Sequence, residues 1–211
     1  MNFKGIIFDL DGVLVHTDEF HYQAWKQLAD KIGVPFDREI NNKLRGVSRM
    51  ASLEIILNGA SSRFSQTEKE MLAEEKNNTY RNLLSTLTPA DVAPETLDTL
   101  KQLKERGIKI AIGSSSKNAR YILERIGIID MFDAISDGNN ITHSKPDPEV
   151  FLKAAEYLCL APSECIVVED AEAGIDAACA GGFAGAGIGT ASPYSKCTYS
   201  LNNLSGLLKI L

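Results

Sequence analysis

A short apolar run, Gly5-Ile6-Ile7-Phe8, opens the chain, and no second strand-like run follows until about residue 108. A lone strand leaves its backbone donors and acceptors unpaired, so its neighbours must come from the distant second half. In between, apolar residues recur at helical spacing: Phe20, Ala24, Trp25, Leu28, Ala29 and Ile32 share one face. Gly33-Val34-Pro35 stops that helix. A second stretch runs through Ile40 and Leu44 to Gly46, and residues 50–57 and 67–84 read as two more helices. From residue 90 the texture alternates. Helices are expected over 97–106, 118–126, 148–157 and 171–180, with strands over 108–112, 134–136, 165–168 and 184–188, the last closing the series. Such alternation describes βαβ units and a parallel sheet. The expected fold is α/β, a Rossmann-like parallel sheet core (1–15 and 88–211) with an inserted α-helical cap (16–87). Two crossings, near 15–17 and 84–94, permit hinged closure of that cap over the strand ends.

With 44% apolar and 24% charged residues in 211, the chain has material for a real core. Its net charge of −6 argues against nucleic acid or an anionic membrane as partner. An anionic substrate must therefore be met by local positive charge. No apolar run is long enough to span a membrane, and the first strand begins too early for a signal peptide. Cys159, Cys165, Cys179 and Cys197 lack CxxC spacing, which weakens zinc and thioredoxin-like readings and leaves the thiols of a reducing compartment. A cytoplasmic monomer is expected.

Four loops follow strands in this scheme. The first is Asp9-Leu10-Asp11-Gly12, where strand alternation puts both aspartates on one side. A calcium loop would continue with further acids or amides, but Val13-Leu14-Val15 follows. The second loop, Ser114-Ser115-Ser116-Lys117-Asn118, opens a helix with amides and hydroxyls that suit a phosphate; serines capping the helix are the plainer reading. In the third, Lys145 is held extended by Pro146. The fourth is Glu169-Asp170, a second acidic pair ending an apolar strand.

Taken together, Asp9, the main-chain carbonyl of Asp11, Asp170 and Glu169 form a hard-oxygen site for magnesium. Asp9 can attack a phosphoryl group, and Asp11 can move the proton to and from the transferring oxygen. Lys145, Ser114 and the donors of Ser115, Ser116, Lys117 and Asn118 stabilise the transferring charge.

This set resembles the haloacid dehalogenase superfamily, whose motifs are Asp-x-Asp, Ser/Thr, Lys and an acidic pair, here in that order. The inserted block resembles the cap of the β-phosphoglucomutase branch: His21-Tyr22-Gln23-Ala24-Trp25, Leu44-Arg45-Gly46-Val47-Ser48-Arg49 with Ser52-Leu53, and Glu75-Lys76-Asn77. The resemblance implies that Arg49 grips the distal phosphate of a bisphosphate, while Arg45, Gly46, Val47, Ser48 and Ser52 shape a sugar pocket. It also implies that Thr17, His21 and Lys76 link cap closure to the placement of Asp11. Trp25 reads first as cap core and second as a substrate contact. The activity implied is conversion of β-glucose 1-phosphate to glucose 6-phosphate, with magnesium and β-glucose 1,6-bisphosphate as cofactors and a small phosphorylated sugar as the only partner. A sugar-phosphate phosphatase would share every core residue.

Overall fold

The computed structural model describes residues 3–58 and 60–211. Met1 and Asn2, expected in the core, and Gly59, expected in the cap, lie outside the described residues. Strand β1 (Gly5–Phe8) is followed by four helices, α1 (Asp18–Ile32), α2 (Arg38–Asn42), α3 (Arg49–Leu57) and α4 (Gln66–Leu84). Then come α5 (Pro94–Glu105), β2 (Lys109–Gly113), α6 (Ala119–Arg125), β3 (Ala134–Ser136) and α7 (Glu149–Leu158). The chain continues through β4 (Cys165–Glu169), α8 (Glu172–Ala180), β5 (Ala184–Ile188) and β6 (Tyr199–Leu201). All six strands pair in parallel in the order β3-β2-β1-β4-β5-β6.

The first strand does find its partners far along the chain. Phe8 stands opposite Ile112 on one side and Val168 on the other. Because β1 is central, its four residues are all buried, which is why it reads as a continuous apolar run. Phe8, Ile110, Ile112, Ile166 and Val168 pack on one sheet face; Ile7, Ala111, Val167 and Phe151 pack on the other. Chain order reverses between β1 and β4, so the crevice beyond their carboxyl ends is where such a sheet takes a ligand.

The helical block has its own core, built from Trp25, Leu28, Leu53, Ile56, Leu57 and Ala73. Its helix ends are written locally. Gly33 closes α1 with φ 68, Asp37 accepts from Ile40 N at 2.8 Å, and Ser65 with Glu68 forms a capping box. Among the described residues, no strand lies between β1 and β2, and no helix is long and apolar enough to cross a membrane.

Three local expectations need correction. A sixth strand, β6, extends the sheet past 184–188; with three residues and only Leu201 buried, it has no periodicity to detect. Helix α5 starts at Pro94, not 97, because a proline is at home in a first turn that needs no donor. Finally, β1 ends at Phe8, so alternation does not set the sides of Asp9 and Asp11. The Asp9 amide extends the ladder to Val168 O at 2.9 Å. The chain then turns at Gly12, φ 85, with Gly12 N donating to Val15 O at 2.7 Å. A Cβ on Gly12 would stand 2.2 Å from Asp170 Oδ2, so the turn is also packed against the fourth loop.

Candidate active site

The loops after β1 and β4, with the segment before α7, converge on one ammonium group. Lys145 is 3% exposed, and its Nζ lies 2.5 Å from Asp9 Oδ1 and also donates to Glu169 Oε1. The Phe151 ring lies 4.7 Å from the same nitrogen. Burial opposes the lysine's charge, but Asp9 and Glu169 outweigh it and hold Lys145 above the usual lysine range. Burial likewise raises the carboxyls of Asp9 and Glu169 while Lys145 pulls both down. Glu169 is held further by the Ala171 amide at 3.1 Å, and a Cβ on Gly174 would stand 2.0 Å from its carboxyl carbon.

Asp11 has a different environment. Thr17, fully buried, donates to Asp11 Oδ1, and the Tyr80 hydroxyl lies 2.9 Å from Thr17 Oγ1. Thr17 is thus placed behind Asp11, outside the cavity lining, as the link between α4 and the acid. Burial first, and then the Asp9 charge, push Asp11 up to about 7. A carboxyl at that value can hold a proton and release it near neutral pH.

Carboxylate oxygens of Asp9, Glu169 and Asp170 lie within 4.8 Å of one another, and all three residues are buried. An all-oxygen, anionic set of this kind suits a hard dication. Asp170 is pushed up to about 7 by burial and by Asp9, against the pull of Arg45. These acids gather more negative charge than Lys145 and Arg45 offset, so the donor set fits magnesium.

The second loop is less open than its sequence indicates. Ser116 N donates to Ser114 Oγ and Asn118 N to Ser116 Oγ, each at 3.2 Å, so two amides expected to face a phosphate are turned onto serine hydroxyls. The plainer capping reading holds for those two. Ser114 is buried, Lys117 is exposed, and the buried Ser115 hydroxyl oxygen has no partner. Asn118 Nδ2 donates across to Asn77 Oδ1 of α4 at 3.0 Å.

Facing these loops, the helical block presents cations. Lys76, 3% exposed, lies 2.9 Å from His21 Nδ1, 4.8 Å from the Trp25 ring centroid and 4.5 Å from that of Tyr80. Burial and Arg49 bring Lys76 down to about 7. His21 is held well below its ordinary value by burial, Lys76 and Arg49, so a neutral imidazole faces Lys76. Arg49, at the start of α3, pairs with Glu74 at 3.2 Å. Arg45 pairs with Asp18 at 2.7 Å and with Asp170 at 2.9 Å. Trp25 both packs in the cap core and lines the cavity.

Floor and roof enclose a cavity of about 1130 Å³. Apart from Thr17, every sequence-predicted site residue lines it, including Gly46, Val47, Ser48 and Ser52. Sequence reading missed Asp18, Glu74 and Tyr80. Asp18 looks like an ordinary first-turn acid of α1, Glu74 like a solvated acid, and Tyr80 falls on the apolar spacing of α4.

Residues 3–182 match the family model of the haloacid dehalogenase-like hydrolases. The chain belongs to that family. Within it, β-phosphoglucomutase of Bacillus subtilis is 47% identical over 192 residues, 90% of this chain and 85% of the relative. A crystal structure of β-phosphoglucomutase from Clostridium difficile matches with a TM-score of 0.92 at 40% identity, covering 97% of this chain and 93% of the other. Fructose-1-phosphate phosphatase YqaB of Escherichia coli is 32% identical, over 86% of this chain and 94% of its own. Membership of this dehalogenase-like family implies dependence on magnesium, consistent with the acidic cluster.

Proposed function

We propose that the chain is a phosphomutase interconverting β-D-glucose 1-phosphate and glucose 6-phosphate. Its 47% identity to a β-phosphoglucomutase across nine-tenths of the chain carries this reading over the phosphatase one. The cavity supports it physically. Its lining combines Asp9 and Asp11 from the core with Arg49, Lys76 and His21 from the helical block. A bisphosphate can engage both groups at once, and Arg49 suits a phosphate because its planar fork donates two parallel hydrogen bonds.

In this cycle Asp9 carries the phosphoryl group as an aspartyl phosphate. Asp11 takes the proton from the 6-hydroxyl of the sugar as that oxygen bonds to phosphorus and the Asp9–phosphorus bond breaks. The product, β-glucose 1,6-bisphosphate, turns end for end. Asp9 then attacks the phosphate on C1, and Asp11 returns its proton to the departing O1. No water enters the balance. Lys145 holds Asp9 in place and offsets the charge of the attacking anion. A dication held by Asp9, the Asp11 carbonyl, Asp170 and Glu169 supplies further positive charge when bound.

Residues 16–87 act as a cap over a core of 1–15 and 88–211, and its closure excludes water from the aspartyl phosphate. Ser114, Ser115 and Lys117 receive the transferring phosphoryl group, with Ser116 and Asn118 fixing that loop; Arg45–Ser48, Ser52 and Trp25 bound the sugar; Thr17, His21 and Lys76 tie closure to Asp11. The reading carries a cytoplasmic monomer.

The test is a split assay with β-glucose 1-phosphate, magnesium and a trace of β-glucose 1,6-bisphosphate. Glucose 6-phosphate formed without equivalent free phosphate is the expected result. Free phosphate without glucose 6-phosphate would replace the mutase with a phosphatase.

A further inference from the structure

Arg45 lies in the segment between α2 and α3, and that segment rests on the core. A Cβ on its neighbour Gly46 would stand 3.6 Å from Ala173 Cβ. From this position the guanidinium reaches down to Asp170 Oδ2 at 2.9 Å while Asp18 Oδ2, at the start of α1, holds it at 2.7 Å. Among the described residues, Arg45–Asp170 is the only ion pair joining the helical block α1–α4 to the sheet core. Its core partner is one of the three carboxylates of the candidate metal set.

Two cations already face that set. Lys145 is a buried fixture of the core, joined to Asp9 and Glu169. Arg45 differs in that it is half-buried, attached to the block read as mobile, and faces the remaining carboxylate. Like charges brought this close repel. A dication added to the set meets both, and only Arg45 can withdraw without disrupting the core.

We propose that Arg45 is a counterion carried by the cap that competes with the divalent ion for Asp170, so that magnesium binding and cap closure oppose each other until a phosphorylated substrate is present. The substrate restores negative charge to the cavity, and the ion and the closed cap then become compatible. Arg45 is in this sense a positioning residue: it acts on the metal through Asp170. The inference rests on Asp170 as a metal ligand and on residues 16–87 as a moving cap, and is independent of which sugar is accepted.

The experiment is titration of magnesium into the full, EDTA-stripped chain by calorimetry, without sugar or phosphate, for the parent, Arg45→Lys, Arg45→Gln and Asp170→Asn. Asp170→Asn should lose most of the binding heat; parent-like binding by that variant would remove the metal ligand on which the inference depends. Arg45→Gln should bind magnesium about five- to tenfold more tightly than the parent, the lower part of the range for coupled sites. Arg45→Lys, which keeps the charge, should stay near the parent. Equal or weaker binding by Arg45→Gln overturns the inference, because Arg45 would then be either a neutral surface contact or a support for the metal site. Small-angle scattering on the same samples gives a second readout. The parent's radius of gyration should rise when magnesium replaces EDTA, and that of Arg45→Gln should already be high in EDTA; a parent radius indifferent to magnesium overturns the coupling.

Discussion

The floor of the cavity and its roof bury charge of opposite sign. On the floor, Asp9, Asp11, Glu169 and Asp170 crowd around the single ammonium of Lys145, and burial pushes their carboxyls up. On the roof, Arg49, Lys76 and His21 crowd together with Glu74 at the rim and the Asp11 charge acting on Lys76 from the floor, and burial pushes all three down. Each wall alone is an unfavourable arrangement. Under the proposed function a dication relieves the floor and a phosphate the roof, so a sugar bearing phosphate at both ends, together with one metal ion, would resolve both. A hydrolase of small phosphate esters needs only the floor.

The contrast can be broken first at the floor. Asp9→Asn should lower mutase turnover by about 10⁴-fold or more, as expected when a nucleophile is removed. It should also abolish an acid-stable, hydroxylamine-labile phosphoenzyme; an adduct that persists would move the nucleophile elsewhere. At the roof, Arg49→Ala should cost on the order of 10²-fold in mutase turnover, the scale of losing one stabilising donor. The same variant should hydrolyse acetyl phosphate nearly as well as the parent, since that small acyl phosphate never reaches the roof. Equal losses in both reactions would dissolve the division between the walls.

The smallest effect concerns pH. In the metal-free fold, burial raises Asp9 and Asp170 to about 7. Below that value an incoming ion must displace protons, and above it the carboxylates are already ionised. The gain in Tm on replacing EDTA with magnesium should therefore grow from about pH 6 to about pH 8. A gain that shrinks over this interval would show that these carboxylates are not the ligands.

What the sequence disclosed, and what it withheld, follows the range of the forces involved. The buried strands were legible because Gly5–Phe8 and residues 165–168 are covered on both faces and are apolar throughout. The loops after them were legible because acids have no packing reason to end such strands, and Lys145 because a proline fixes it. By contrast, β6 owes its pairing to the edge of β5 rather than to its own residues. The direction of the Ser116 and Asn118 amides depends on local turns, and serines cap or bind with equal ease. Arg45 was recognisable as a cavity residue, but its pairing with Asp170 spans 125 positions and arises only when the helical block docks on the core.

Gly12 and Gly174 bear no functional group, yet they form the mould in which the acids sit. A single methyl group at either would overlap Asp170 or Glu169, at 2.2 Å and 2.0 Å respectively. For anyone diversifying this enzyme toward other sugars, the freedom to vary is therefore lopsided. Outside Arg49, Lys76, His21 and the left-handed Gly46, the roof can be varied, whereas the floor includes two residues that do no chemistry and still resist replacement, so new specificities are to be sought above the acids and not beneath them.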